Sequence, residues 1–289
     1  MTDFSRILLA TDLDGTFLGE GGRLLDRNLR AAEEFKAAGG HFTIATGRIR
    51  KHIYRVLPEI EKLINTPAIL CNGACLYDYT AGRVLSEAPI DPSLVLEVMN
   101  FVRGYAREHD EEVGIRLSTS EGFMGDPQSR NPRILSDMKS AEKAGAAVSV
   151  LPDCSDMDRV QLYKIVVRGS AEAVARVRPL IEAEFGDRLV YAESDPEFFE
   201  INTAGCDKGS GLRRLADLFR DAHGQQLLTV AAGNYENDLP MLRAADISAC
   251  PADAQDLVKP SCRLILCPYH EGCIADLVGW LKENFRCAE

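Results

Sequence analysis

Apolar residues along this chain follow two rhythms. Short unbroken runs occur at Ile7-Leu8-Leu9-Ala10, at His41-Phe42-Thr43-Ile44-Ala45, at Ala68-Ile69-Leu70-Cys71 and at Leu227-Leu228-Thr229-Val230-Ala231. Runs without alternation predict strands covered on both faces. Between the first three runs, apolar residues recur every three or four positions. They are Leu25, Leu29, Ala32 and Phe35, closed by Gly39-Gly40, and then Ile49, Ile53, Val56, Ile60 and Leu63. That spacing predicts helices with one apolar face, the second of them broken at Pro58. Strand, helix, strand, helix, strand with short connections predicts a parallel sheet with helices on both sides.

From about residue 75 the rhythm changes. Tyr77 to Leu85 reads as a hairpin around Thr80-Ala81-Gly82, and Asp91-Pro92 opens an amphipathic helix through Leu94, Val98, Phe101 and Tyr105. Shorter, alternating strands are predicted at 114–118, 121–124, 159–168, 188–192 and 197–202, with helices at 133–145 and 171–185. The parallel pattern resumes with a helix from Lys208 through Leu212, Leu215 and Phe219, the strand at 227–231, and short strands at 246–249 and 263–267. The expected fold is therefore α/β. A doubly wound, Rossmann-like core is formed by 1–87 and 204–289, and an α+β module of residues 88–203 is inserted into it.

Polar residues cluster where the core strands end. Asp12 and Asp14 follow the first, Thr46 the second, Asn72 the third, and Asn234 to Asp238 the strand at 227–231. In open parallel sheets ligands bind beyond those carboxyl ends. Two aspartates two positions apart at a strand end lean to one side, and carboxylates so close repel unless a cation lies between them. Mg²⁺, which takes a few carboxylates plus water and substrate phosphate, suits that need. An ionised aspartate can also attack phosphorus. A DxDGT string arises by chance in a chain this long only about once in a few hundred, from average residue usage. Lys208 stands at a helix start, where backbone N–H groups also favour an anion.

Taken singly, each residue has a plainer reading. Asp12 and Asp14 fit an acidic turn, Thr46 an ordinary strand end, Lys208 a solvated surface charge, and Asn237-Asp238 a helix cap. Asn72 suits a turn as well as a site, and Arg48 reads as a structural partner of nearby acids.

Composition narrows the class. At 289 residues the chain has room for two domains, and 46% hydrophobic with 27% charged residues predicts a globular protein with ample core. No apolar run approaches the ~18 residues of a membrane helix. The start, MTDFSRILLATD, has two acids and no cleavage site, so no signal peptide is read and a cytoplasmic location is expected. A net charge of −11 without a basic tract argues against nucleic acid as a partner. The nine cysteines are scattered, and even Cys262, Cys267 and Cys273 match no common zinc spacing, so reduced thiols are expected. His41, His52, His109, His223 and His270 show no metal spacing either, and His41 reads as a core residue.

The motifs DLDGT, TGR, DKGSGL and GNYENDLPML, in this order, resemble the haloacid dehalogenase superfamily. A module between the second and third is similar to the cap of its Cof-type branch, subclass IIB, whose members are mostly phosphatases of sugar phosphates and related phosphomonoesters. The likeness spans essentially the whole chain. It implies that Asp12 is the nucleophile and that Asp14 protonates the leaving oxygen and then activates water. Thr46 and the Gly47 amide would hold phosphate oxygens, Lys208 would offset negative charge, Asn237 would contact the phosphate, and Asp238 would position Lys208 or metal-bound water. Mg²⁺ would lie between Asp12, the Asp14 carbonyl and Asn234, and the partner would be a small phosphorylated metabolite. At 234 the chain departs from the family, which usually has Asp there. An amide ligates Mg²⁺ without charge, so weaker metal binding is expected. A sugar-phosphate mutase shares every motif, and a non-catalytic phosphate-ligand binder is the alternative that Asn234 motivates. In the cap, Arg116, Ser118, Met124 and Arg130 are candidates to meet substrate.

Overall fold

A computed structural model describes residues 3–126, 128–129, 131–143, 145, 147–150 (backbone only), 157–220 and 224–285. Arg130 and His223 lie outside the described residues. In chain order the strands are β1 (Ile7–Thr11), β2 (His41–Ile44), β3 (Ala68–Leu70), β4 (Cys75–Asp78), β5 (Arg83–Glu87), β6 (Gly114–Thr119), β7 (Gly122–Gly125), β8 (Ala147–Val150), β9 (Leu162–Arg168), β10 (Leu189–Asp195), β11 (Phe198–Thr203), β12 (Leu228–Ala232), β13 (Ile247–Pro251) and β14 (Leu264–Leu266). The chain divides into two compact units. One comprises Met1–Gly47, Leu57–Ser86 and Asp207–Glu289, the other Arg48–Val56 and Glu87–Cys206.

The first unit is built on a parallel sheet in the order β14-β13-β12-β1-β2. β1 is central and buried along its whole length, as its unbroken apolar run requires. On one face, Leu8 and Ala10 join a cluster with Leu212 and Leu215 of the helix Lys208–Leu218 and Met241 and Leu242 of the helix Leu239–Ala244. The helices Asp26–Ala37 and Cys273–Asn284 pack together, and the first carries Phe35, which stacks on Phe4 at 4.9 Å and meets Phe42 edge-on at 6.4 Å.

One strand departs from the expected order. β3 does not extend the parallel sheet beyond a single bridge, Ala45 to Ile69, and pairs instead with β4 in an antiparallel β3-β4-β5 sheet. The segment before it explains why. The Asn65 side chain accepts from the Phe42 N–H at 2.7 Å and donates to the Gly40 carbonyl, taking places a strand would fill. Pro67, next in line, has no N–H to offer.

The second unit holds a six-stranded sheet, β10-β11-β9-β6-β7-β8, antiparallel except for β7 beside β8. Alternation sorts its faces. Ile115, Leu117, Ile165, Val167, Phe199 and Ile201 join Val95, Val98 and Val102 of the helix Pro92–Glu108 and Val174, Val177 and Ile181 of the helix Ala171–Phe185 in one core. Met124 belongs to that core as well. Arg116 and Ser118 alternate with Ile115 and Leu117 on β6, and Lys164 on β9 forms a buried ion pair with Glu200 on β11. The helix expected over 133–145 is Pro132–Lys143, and β8 follows it where the sequence pattern predicts no strand. The helix Arg50–Val56, read as part of the core, packs within this unit. Lys51 pairs with Glu121 at 3.0 Å, and the His52 ring meets Phe123 edge-on.

His41 is half-buried against Phe219. Among the described residues no helix is long and apolar enough to cross a membrane. Phe35 is fully buried between two aromatic neighbours, and a Cβ on Gly40 would stand 2.3 Å from its ring. Replacing Phe35 by alanine is therefore expected to cost ~3–5 kcal/mol, read as a lowered urea midpoint; a loss under about 1 kcal/mol would contradict this packing.

Candidate active site

The site grows from the carboxyl ends of β12, β1 and β2. The Asp12 N–H donates to the Ala232 carbonyl at 2.8 Å and the Ala45 N–H to the Thr11 carbonyl at 2.8 Å, so Asp12 sits between the last residues of its two neighbours. The chain then turns sharply. Gly15 has φ +76, and the N–H groups of Phe17 and Leu18 return to the carbonyls of Asp12 and Leu13. A Cβ at Gly15 would lie 2.4 Å from the Asn234 amide nitrogen, so this turn needs glycine for conformation and for room. Asp12 is left buried and Asp14 exposed.

Lys208 stands at the start of its helix, whose N-cap Asp207 forms a reciprocal capping box with Ser210. It is not a surface charge. Its ammonium is fully buried and donates to Asp12 Oδ1 at 2.7 Å and to Asp238 Oδ1 at 2.6 Å. The other oxygen of Asp238 accepts the N–H groups of Asn234 at 2.8 Å and Tyr235 at 3.1 Å. Asp238 is thus no simple cap; it ties the Asn234 loop to the lysine. Asn234 Oδ1 accepts from the Thr16 hydroxyl at 3.2 Å. Thr46 is buried at the end of β2, where its carbonyl accepts the Asn72 N–H at 3.0 Å, and the Asn237 amide donates to Asn72 Oδ1 at 3.3 Å. Asn72 is therefore tied to the site residues, and Gly47 follows Thr46 at the edge of this unit. Arg48 belongs to the second unit and meets His52 at 3.5 Å.

The charges do not balance. Burial works against the Lys208 charge, yet Asp12 and Asp238 hold its pKa above the ordinary lysine value. Burial lifts Asp12 to about 7; Lys208 pulls it down, while Asp238 and Asp14 push it up. The two shifts agree once the groups are counted together: one ammonium serves several carboxylates. The cation is over-supplied with partners, and Asp12 still sits in a surplus of negative charge.

The chain matches a known family over most of its length. The model for haloacid dehalogenase-like hydrolases matches residues 9–278. The chain belongs to that family. Pyridoxal phosphate phosphatase of Escherichia coli is 26% identical over 90% of this chain and 92% of its own length. The 5-amino-6-(5-phospho-D-ribitylamino)uracil phosphatase of Bacillus subtilis is 23% identical over 96% and 97%. A haloacid dehalogenase-like hydrolase from B. subtilis superposes with a TM-score of 0.77 at 19% identity, covering 95% of this chain and 99% of the other. A sugar phosphatase of subclass IIB does so at 0.75 and 20%, covering 94% and 98%. The fold is that of the Cof-type haloacid dehalogenase proteins, and the chain is an enzyme, a phosphatase of this family.

Family members of this kind call for Mg²⁺, and the donors suit it. Asp12 offers a carboxylate, Asp14 its carbonyl and Asn234 an amide oxygen, all hard oxygen donors. Among the described residues no cluster of three or more Asp, Glu, His or Cys side chains forms a closed metal cage. Mg²⁺ is commonly bound through one or two carboxylates together with water and substrate phosphate, and this donor set is of that kind. Thr16 and Asp207 fall inside the DLDGT and DKGSGL motifs without a role there, although the D-x-x-S spacing of Asp207 and Ser210 is a readable capping signal.

Lys208→Met tests the charge arrangement. Stranding Asp12 and Asp238 without their cation is expected to cost ~3–5 kcal/mol at pH 8. A raised pKa means that the folded chain keeps a proton the unfolded chain has lost. Stability therefore falls as pH rises from 3.8 to about 7 for Asp12. Removing Lys208 deepens that fall, so the loss should be smaller at pH 5 than at pH 8 in metal-free urea titrations. An equal loss at both would show that the carboxylates do not govern it.

Proposed function

We propose that this phosphatase hydrolyses small phosphomonoesters, sugar phosphates foremost, through an aspartyl-phosphate on Asp12 with Mg²⁺ as cofactor. The observation that carries the reading is the contrast between two carboxylates two residues apart. Asp12 is buried and bonded to Lys208, whereas Asp14 is exposed. Different surroundings fit two acids for different tasks. Asp12 attacks phosphorus as the ester P–O bond breaks, and Asp14 gives its proton to the leaving oxygen. Water then attacks the phosphorylated Asp12, Asp14 takes up its proton, and phosphate leaves with the carboxylate restored. Thr46, the Gly47 amide and Asn237 hold phosphoryl oxygens. Lys208 offsets their charge, and Asp238 keeps Lys208 and the Asn234 loop in place. Mg²⁺, held by Asp12, the Asp14 carbonyl and Asn234, would supply charge neutralisation of the transferring group. The names of relatives, for a pyridoxal phosphate, a phosphoribitylamino uracil and sugar phosphates, support a small phosphomonoester as substrate.

The decisive experiment is phosphate release from a panel of sugar phosphates, nucleotides and cofactors, with and without Mg²⁺. Asp12→Asn keeps shape and removes the attacking charge, so turnover should fall on the order of a thousandfold or more while the protein stays folded. Activity above about a tenth of the unaltered enzyme would refute the covalent route.

Asn234 generates a second expectation. With a neutral amide at this position, Mg²⁺ should bind weakly alone and more tightly with a phosphate ligand, a positive coupling of about 1–3 kcal/mol for linked sites. Asn234→Asp should lower the Mg²⁺ needed for half-maximal rate. Equal Mg²⁺ affinity in the two forms would remove Asn234 from the ligand set. Tight binding of sugar phosphate without turnover in either form would remove sugar phosphates from the substrate class.

A further inference from the structure

The loop after β3 is unusual. Cys71, Asn72 and Gly73 have φ of 52, 56 and 94, three successive residues in the left-handed region. Two of them are not glycine and both are buried. Such a conformation is strained for a residue with a side chain and persists only where its surroundings over-determine it. Here the surroundings are explicit. The Asn72 N–H donates to the Thr46 carbonyl at 3.0 Å, and the Ala74 N–H to the Cys71 carbonyl at 3.2 Å. A Cβ at Gly73 would fall 2.1 Å from the Asp207 carbonyl oxygen, and one at Gly211 would fall 3.0 Å from the Gly73 Cα. The loop is therefore pressed against the first turn of the helix that carries Lys208. Arg214, six residues further along that helix, closes the contact. Its guanidinium donates to the Gly73 carbonyl and, at 2.9 Å, to the Ser86 hydroxyl.

We propose that Arg214 is a positioning residue for phosphate binding. It holds the left-handed loop shut, so that Asn72 accepts from the Asn237 amide and turns it toward the phosphoryl oxygens. The inference rests on the reading above that Asn237 contacts phosphate. A guanidinium suits the task because its planar fork reaches two acceptors from one rigid group. Released from it, the carbonyl of Gly73 and the strain of Cys71 and Asn72 lose their restraint, and the loop relaxes away from Asn237.

The probe is inorganic phosphate, measured by titration calorimetry without turnover and as an inhibitor of p-nitrophenyl phosphate hydrolysis. Asn72→Ala and Arg214→Met are expected each to weaken phosphate about tenfold and to raise KM, with kcat within about threefold, the pattern of lost uniform binding. The double variant should be no weaker than the worse single one, because both changes break one chain of contacts. Arg214→Lys, which keeps one of the two bonds, should fall between. Multiplying effects, or a lowered melting midpoint with unchanged phosphate affinity, would overturn the proposal and leave Arg214 a stabiliser only. If Arg214→Met does not fold, Ser86→Ala and Arg214→Lys carry the same cycle. Failure of the aspartyl-phosphate reading shows separately, as persistent hydrolysis by Asp12→Asn, whereas the calorimetric cycle needs no hydrolysis.

Discussion

A lysine ammonium shut away from water between two carboxylates organises this protein. Lys208 is fully buried and reaches Asp12 and Asp238 at 2.7 and 2.6 Å. A buried charge is tolerable only when paired and fully hydrogen-bonded, so three parts of the chain must arrive together. β1 brings Asp12, the capped helix Lys208–Leu218 brings the cation, and the loop after β12 brings Asp238. Asp238 then spends its second oxygen on two backbone N–H groups, which fixes Asn234 beside the Gly15 turn. Moving any one of these would expose an unpaired charge inside the protein.

The same arrangement leaves work for a ligand. Burial holds Asp12 up near 7, Lys208 pulls against it, and the neighbouring carboxylates Asp238 and Asp14 add to the rise. The unmet need is for positive charge at the mouth of the site and for donors to receive an anion beyond it. Asp14 is exposed and Asp12 buried, so the two carboxylates of one turn meet different surroundings.

A strained loop borders this site. The left-handed run Cys71–Gly73 is held by the Thr46 carbonyl, by Arg214 and by close glycine contacts with the Lys208 helix. A helix that is pinned at its first turn by Asp207 and Ser210 is a rigid support for such a loop. The geometry of Asn72 and Asn237 is therefore inherited from the same helix that delivers the lysine.

Local patterns in the sequence determined a good deal. Unbroken apolar runs marked β1, β2 and β12, helical spacing marked their covering helices, Asp91-Pro92 marked a capped start, and the polar residues at strand ends marked the candidate residues that the fold gathers. These are legible because periodicity and capping act over a few residues. What only the tertiary structure decided involves residues far apart in the chain. Lys208 reads as a surface charge until it meets Asp12, 196 positions away. Asn72 reads as a turn until it meets Asn237 across 165 positions, and Arg214 has no sequence signal for its bond to Gly73 across 141. β3 meets the parallel sheet at only one bridge because the Asn65 side chain took the ladder positions before it, a choice that periodicity does not encode. Burial and hydrogen-bond pairing between distant segments set these outcomes, and they exist only once the chain has folded.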